Sequence, residues 1–346
     1  MIVTHVHKIA GIGGSERHLL TLLPALAERG VDARFVGLDT DEADPFYEQL
    51  GVPYVRLSSP RRLRRALRGA DIVHTHLVHA DVFGALVAGS TPLVSTKHND
   101  DPFRVGPYRF VERTITRRAR RVIAITESLK RFCVERVGLP EAKLHVIRYG
   151  LNEPPRAWGA NPPLELGDGP VVAAVARLAP QKGVDVAIRA LPAIRREHPD
   201  AVLAVLGEGP ERAALEELAR SLGVAAAVAL PGRVGDMAAL YRRAELVVHP
   251  VRWEGFGLAL LEAMLAERPV VASAVSAAPE IVEAGRTGLL VPPDDAGAFA
   301  AAVSSLLADR ARAAELGRAG LERARAEFSV ARMADRTLDA YRRALS

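Results

Sequence analysis

Two carboxylates, Glu254 and Glu262, stand eight positions apart on either side of a glycine-bearing turn, Gly255-Phe256-Gly257-Leu258. Upstream, the apolar run Leu246-Val247-Val248 reads as a buried strand that ends at His249-Pro250, and Gly257 to Leu265 reads as a helix. A strand–turn–helix step of this kind aims the unpaired N–H groups of the first helical turn at whatever lies above the sheet, a setting suited to phosphate. Glu262 falls four positions after Leu258, on the same helix face and leaning back toward its start. Both acids can therefore reach a ligand whose phosphates rest on Gly257 and Leu258, and a carboxylate is a good acceptor for paired sugar hydroxyls. A helix cap and a solvated helix face would use the same two residues. Arg177 and Lys182 place two cations round one turn, which suits a diphosphate.

Other constellations carry weaker signals. Gly11, Gly13 and Gly14 form a turn after the first strand, but Glu16 stands where a dinucleotide fingerprint needs its third glycine. The turn therefore predicts a close backbone approach to a ligand rather than NAD, with Ser15 as the helix cap. Asp39-Thr40-Asp41 could hold a divalent ion on a diphosphate, yet its polar surroundings predict a solvated loop. His74, His76 and His79 have metal-like spacing without the acid a binuclear hydrolase would need, since position 78 is Val78. They are expected to line a cleft at a strand end. Arg109, Arg113, Arg117 and Arg121 repeat every four residues on a helix predicted over 107–121. That stripe would suit an anionic membrane surface or an acidic acceptor, or simply solvent. No stacking aromatics are interleaved with it, which argues against nucleic acid.

These residues need elements to position them. With 346 residues, nearly half apolar, the chain can bury two cores of ordinary size. Two series of alternating strands and helices are separated by Asn152 to Pro170, a stretch dense in proline and glycine. The pattern predicts two doubly wound, Rossmann-like α/β domains facing across a cleft. The expected limits are 1–152 with 330–346 for the first domain, 153–170 for the linker and 171–329 for the second. Residues 1–150 carry 23 Lys and Arg against 16 Asp and Glu, while the chain as a whole has 46 against 41. The basic front and mildly acidic back suggest different partners. A single cysteine, Cys133, excludes an internal disulfide and fits a reducing compartment. No apolar run approaches a membrane span and the start lacks a signal-peptide pattern, so a cytoplasmic protein is expected, with peripheral contact at the inner membrane face as an option.

The quoted residues resemble the retaining glycosyltransferases of the GT-B fold, in glycosyltransferase family 4 (glycosyl transferases group 1). The likeness is nearly full-length and strongest from Val171 to about Phe328. It rests on Glu254 and Glu262, Arg177 with Lys182-Gly183, Gly207-Glu208-Gly209-Pro210, Pro279-Glu280 and Gly288-Leu289-Leu290-Val291, all in family order. Gly13-Gly14, the strand Asp71 to His76, His98 and Gly150 resemble the family more loosely.

The resemblance implies a hexosyltransferase whose back domain binds a nucleotide-diphosphate sugar, UDP-linked above all and GDP-linked otherwise, and whose front domain binds a glycan, lipid or small-molecule acceptor. It implies no cofactor and no metal. Arg177 and Lys182 would hold the diphosphate, Glu262 the ribose hydroxyls and Glu254 hydroxyls of the transferred sugar. Gly255, Phe256, Gly257 and Leu258 would bring backbone to phosphate or sugar, and Arg233 and Val234 would edge the base. Gly13 and Gly14 would let the front domain approach the donor, His98 would contact the sugar, and the last helix would cross back to the front domain. Departure of the diphosphate would be stabilised by fixed cations and a helix start. Domain closure would exclude water. Two stretches depart from the pattern: Val251 stands where serine is common after His-Pro, and Ser276, Ala277 and Ala278 replace small glycines. A GT-B epimerase or phosphorylase, and a non-catalytic nucleotide-sugar or membrane-surface binding protein, are the competing readings.

Overall fold

The computed structural model describes residues 1–9, 11–38, 44–57, 62–152, 166–232 and 237–346. The apolar runs become strands buried on both faces, as parallel sheets require because their crossover helices cover both sides. The first sheet comprises β1 (Ile2–His7), β2 (Asp32–Leu38), β3 (Tyr54–Leu57), β4 (Ile72–His76), β5 (Leu93–Lys97), β6 (Arg121–Ala124) and β7 (Leu144–Val146), in the order β3-β2-β1-β4-β5-β6-β7. The second comprises β8 (Val171–Val175), β9 (Val202–Leu206), β10 (Val228–Gly232), β11 (Ala244–His249), β12 (Val270–Ser273) and β13 (Leu289–Val291), in the order β10-β9-β8-β11-β12-β13. All pairings within these sheets are parallel. Each is doubly wound, with its order reversing between β1 and β4 in one sheet and between β8 and β11 in the other. Those reversals open a crevice at the carboxyl ends of the strands, where ligands bind in such sheets.

Contacts divide the chain into two compact units, Met1–Gly150 with Phe328–Ser346, and Leu151–Glu327. In the first, Leu19, Leu22, Leu23 and Leu26 of the helix Gly14–Ala27 share a core with Val330, Met333, Ala334 and Tyr341 of the final helix Val330–Leu345. Ser329 caps that helix by accepting from the Arg332 amide at 3.3 Å. Gly150 permits the approach, because a β-carbon there would lie 2.3 Å from the Ser329 carbonyl oxygen. In the second unit, the helices Val184–Glu197 and Ala296–Ala308 pack on one core with β8, β9 and β11.

Several local expectations change. Gly13, not Ser15, caps the first helix, and Glu16 completes the cap from inside it. That helix runs through Pro24 unbroken. Strands β2 and β3 lack a clear apolar signature: Asp32 and Arg34 interrupt the first, and Tyr54, Val55 and Arg56 of the edge strand β3 are exposed. The arginine-bearing helix is Tyr108–Arg118, so Arg121 lies in β6 beside His145 rather than on the stripe. Asp295 caps the helix Ala296–Ala308 by accepting from the Ala298 amide at 2.8 Å.

Candidate active site

At the β8–β11 crevice two loops are tied together. The β8 loop places Gly183 at φ +60°, and a β-carbon on it would sit 1.9 Å from the Pro250 carbonyl oxygen. Glycine alone meets both conditions. The Arg252 amide donates to the Gln181 carbonyl at 2.9 Å, and the Gln181 side-chain amide donates to the Trp253 carbonyl at 2.9 Å. Arg252 locks the pair further through two 2.9 Å contacts to Asp185 and one of 2.8 Å to Asp294. A forked guanidinium suits such a clamp.

The clamp sets the reactive groups. The Lys182 ammonium donates to the Glu254 carboxylate, with both side chains partly accessible. Burial alone would raise the Glu254 carboxyl, but Lys182, His249 and its own hydrogen bonds outweigh it and hold it below the ordinary carboxylate range. Glu254 is thus an anion with a fixed cationic neighbour. His249 Nε2 lies 3.9 Å from Glu254 Oε2 and has no hydrogen-bond partner among the described residues. Burial lowers the His249 pKa to about 4, with Glu254 opposing and Lys182 assisting, so the ring is neutral near pH 7. Arg177 projects into solvent at the same loop, its Nη2 3.5 Å from Gln181 Oε1. Gly257 adopts φ +98° and begins the helix Leu258–Leu265, which has no side-chain cap. Glu262 is fully buried there and accepts from the Tyr241 hydroxyl at 3.0 Å.

The sequence-predicted residues therefore fall in two places. Arg177, Lys182, Glu254, Gly255, Phe256, Gly257, Leu258 and Glu262 gather at the β8–β11 crevice, whereas Gly13, Gly14 and His98 belong to the first unit. Arg233 and Val234, the Asp39-Thr40-Asp41 turn and residues 153–165 of the linker lie outside the described residues. Reading the sequence missed Arg252, Gln181, Tyr241 and His249, whose roles come from partners far along the chain. Val251 is buried beneath the turn. Ser276 has φ +47°, the left-handed region that favours glycine, which gives its departure from the family pattern a backbone meaning.

In the first unit, Glu16 fills the helix start itself: it accepts from the Gly13 amide at 2.9 Å and lies 2.8 Å from His7 Nε2. An incoming phosphate would meet that carboxylate. His74 and His76 do not line a cleft; both are fully buried, while His79 is exposed on the helix Leu77–Val87. Both ring nitrogens of His98 are engaged, Nε2 with His76 at 3.0 Å and Nδ1 with the Tyr149 hydroxyl. A further buried network joins Lys97, Asp81, Glu112 and Arg104, with Lys97 Nζ 2.6 Å from Asp81 and 3.2 Å from Glu112.

Two doubly wound units, each with its crevice at a switch point, form the GT-B architecture. Residues 161–323 match the model for glycosyl transferases group 1, and residues 12–153 that for glycosyltransferase family 4. The chain belongs to this glycosyltransferase family. It is 32% identical to the alpha-maltose-1-phosphate synthase of Mycolicibacterium smegmatis, over 96% of this chain and 95% of that protein. A GDP-mannose-dependent alpha-(1-6)-phosphatidylinositol monomannoside mannosyltransferase of the same organism is 42% identical, but over only 45% of this chain and 43% of its own. The fold is shared with Anabaena HepE in complex with UDP-glucose, at a TM-score of 0.87, 22% identity and 98% coverage of both chains. It is shared also with a sucrose-phosphate synthase of Thermosynechococcus elongatus, at 0.83, 24% identity and 99% and 98% coverage. Among the described residues no helix is long and apolar enough to cross a membrane.

Proposed function

We propose that the enzyme is a retaining, metal-independent hexosyltransferase that moves a sugar from a UDP- or GDP-linked donor to a hydroxyl of a glycan, lipid or small molecule. The observation that carries the reading is the Lys182–Glu254 pair beside the uncapped helix start at Gly257. As the anomeric bond to phosphate breaks, negative charge grows on the diphosphate. Lys182, Arg177 and the amides of Phe256, Gly257 and Leu258 supply preorganised positive potential for it. Glu254 orders sugar hydroxyls while its charge is kept by Lys182, and Glu262 takes the ribose hydroxyls, exchanging its Tyr241 contact for them. His98 reaches the transferred sugar in this reading by exchanging its Nδ1 contact to the Tyr149 hydroxyl for it. The acceptor hydroxyl attacks from the face the diphosphate leaves, which keeps the anomeric configuration, and its proton passes to the leaving phosphate oxygen.

A relative that is GDP-mannose-dependent by name and a solved neighbour in complex with UDP-glucose support a nucleotide-sugar donor, and they differ in base. Mass spectrometry of products from a UDP- and GDP-sugar panel identifies the donor, and NMR of the product reads the anomeric configuration. An inverted product removes the retaining mechanism, and loss of turnover in a metal chelator, restored by a divalent ion, removes metal independence. Conversion of the donor without acceptor would indicate an epimerase, and a requirement for inorganic phosphate a phosphorylase. Full donor affinity and turnover in Glu262→Ala would remove the site assignment.

The exposed Arg109, Arg113 and Arg117 form the membrane- or acceptor-facing stripe in this reading, with Arg113 Nε donating to the Gly138 carbonyl at 3.0 Å. Sedimentation with anionic liposomes over a salt series tests it, and failure to bind even at low salt removes it.

A further inference from the structure

Within the first unit a continuous hydrogen-bonded chain runs through the β1–β4 switch point. The Thr96 hydroxyl lies 2.7 Å from His74 Nε2, and His74 Nδ1 lies 2.7 Å from the Tyr341 hydroxyl. Tyr341 continues to His5 Nε2 at 3.3 Å, His5 Nδ1 to His76 Nε2 at 3.0 Å, and His76 Nδ1 to His98 Nε2 at 3.0 Å. His98 Nδ1 ends the chain on the Tyr149 hydroxyl. All seven groups are buried. Burial, reinforced by neighbouring histidines, lowers the four imidazole pKa values, to about 3 for His5, so the rings are neutral near pH 7.

A neutral imidazole has one donor and one acceptor nitrogen, and a hydroxyl has one hydrogen to give. Six links then need six hydrogens, and the seven groups carry seven. The five interior groups have both positions engaged, so the surplus hydrogen belongs to a terminal hydroxyl, Thr96 or Tyr149. Only two arrangements fill every link, and each runs in one direction from end to end. In the first, Tyr149 donates inward, every ring is the Nε2–H tautomer, and the Thr96 hydrogen must find another acceptor. Among the described residues the Thr96 hydroxyl has no partner but His74. An unmet buried donor is costly. In the second, Thr96 donates to His74, every ring is the Nδ1–H tautomer, and the surplus hydrogen sits on the Tyr149 hydroxyl, a residue with a further contact of its own.

Three of these rings also have nitrogens close enough to suggest a metal, His5, His74 and His76 within 4.8 Å of one another. Ring orientation opposes that reading. His5 and His76 are nearly parallel, at 13°, and share a 3.0 Å hydrogen bond, while His74 is tilted by 33° against His76 with centroids 4.3 Å apart. A ligated ion lies in the plane of each ring, and the His74 lone pair points away to its hydroxyl partners.

We propose that this chain is a tautomer relay in which Tyr341, on the C-terminal helix, acts through His5 and His76 as a positioning residue that fixes His98 in the Nδ1–H form. Its bearing on turnover rests on the reading of His98 as a sugar contact; the relay itself does not. With the direction fixed, Nε2 of His98 is held as acceptor by His76, and Nδ1, the nitrogen that a sugar could draw away from Tyr149, is always a donor.

Long-range 1H–15N correlation on the full chain with labelled histidine reads the tautomers directly. The expected wild-type pattern is Nδ1–H at His5, His74, His76 and His98. Tyr341→Phe cuts the chain, and His98, which does not touch Tyr341, should become a mixture of the two forms. Thr96→Val removes the donor that sets the direction and should produce the same mixture, which keeps the test valid if the tyrosine variant fails to fold. An Nε2–H His98 in the wild type, an unchanged His98 in folded variants, or a stoichiometric metal in the purified protein overturns the relay. A reset tautomer with lower turnover at unchanged donor KM supports both the relay and the place of His98. A reset tautomer with unchanged turnover supports the relay and removes His98 from the reacting face.

Discussion

The two switch points share a topology and use opposite electrostatics. At β8–β11 the groups are charged and partly accessible, and the helix start at Gly257 has no side-chain cap. At β1–β4 the groups are neutral imidazoles sealed from water, and the helix start is filled by the protein's own Glu16. A doubly wound sheet supplies the crevice in both cases, and the side chains decide whether it can take a phosphate. Charge is kept near water where a diphosphate must be met. In the interior of the first unit it is held in buried pairs such as Lys97 with Asp81 and Glu112.

The sharpest test of this contrast is acid. In the first unit His5, His18, His74, His76 and His98 all have folded pKa values depressed by burial. Unfolding lets them take up protons, so their contribution to stability is complete above about pH 6.5 and is lost as pH falls toward the folded values. Each ring contributes a slope of roughly 1.4 kcal/mol per pH unit within that window. The second unit has His249 with such a shift. Hydrogen exchange between pH 6.5 and 4 should show the first unit opening while the second stays protected; simultaneous opening would break the comparison.

Lys97→Met addresses the buried pairs. It leaves Asp81 and Glu112 without their ammonium and should cost about 3–5 kcal/mol, read as a lower urea midpoint. Lys182→Ala is its counterpart in the second unit. There the loss should appear in catalysis, about 2.7–4 kcal/mol of barrier, or roughly 10²–10³ in kcat. Its urea midpoint should move less than that of Lys97→Met, and the reverse ranking would contradict the division of roles. The smallest effect is expected from Ser276→Gly, which relieves a left-handed φ worth about 1 kcal/mol and should raise the melting temperature slightly without changing kcat.

Much of the charged site was legible locally. The spacing of Glu254 and Glu262, the turn at Gly257 and the loop carrying Arg177 and Lys182 all sit at strand–helix junctions whose apolar periodicity is plain. Arg252 was silent because its partners, Asp185 and Asp294, are brought to it by the fold. Strand β3 was silent because an edge strand buries little and so carries little apolar signal.

Two α/β series, and the placing of Arg177, Lys182, Glu254 and Glu262 at strand–helix junctions, follow from local pattern, because each depends on near neighbours. Long-range packing alone buries Glu262 against Tyr241, turns Glu16 inward, and joins histidines on β1 and β4 to Tyr341 in one chain. Those contacts join residues that strand order and helix docking bring together, and whether a polar group ends in water or in the core is settled by that packing.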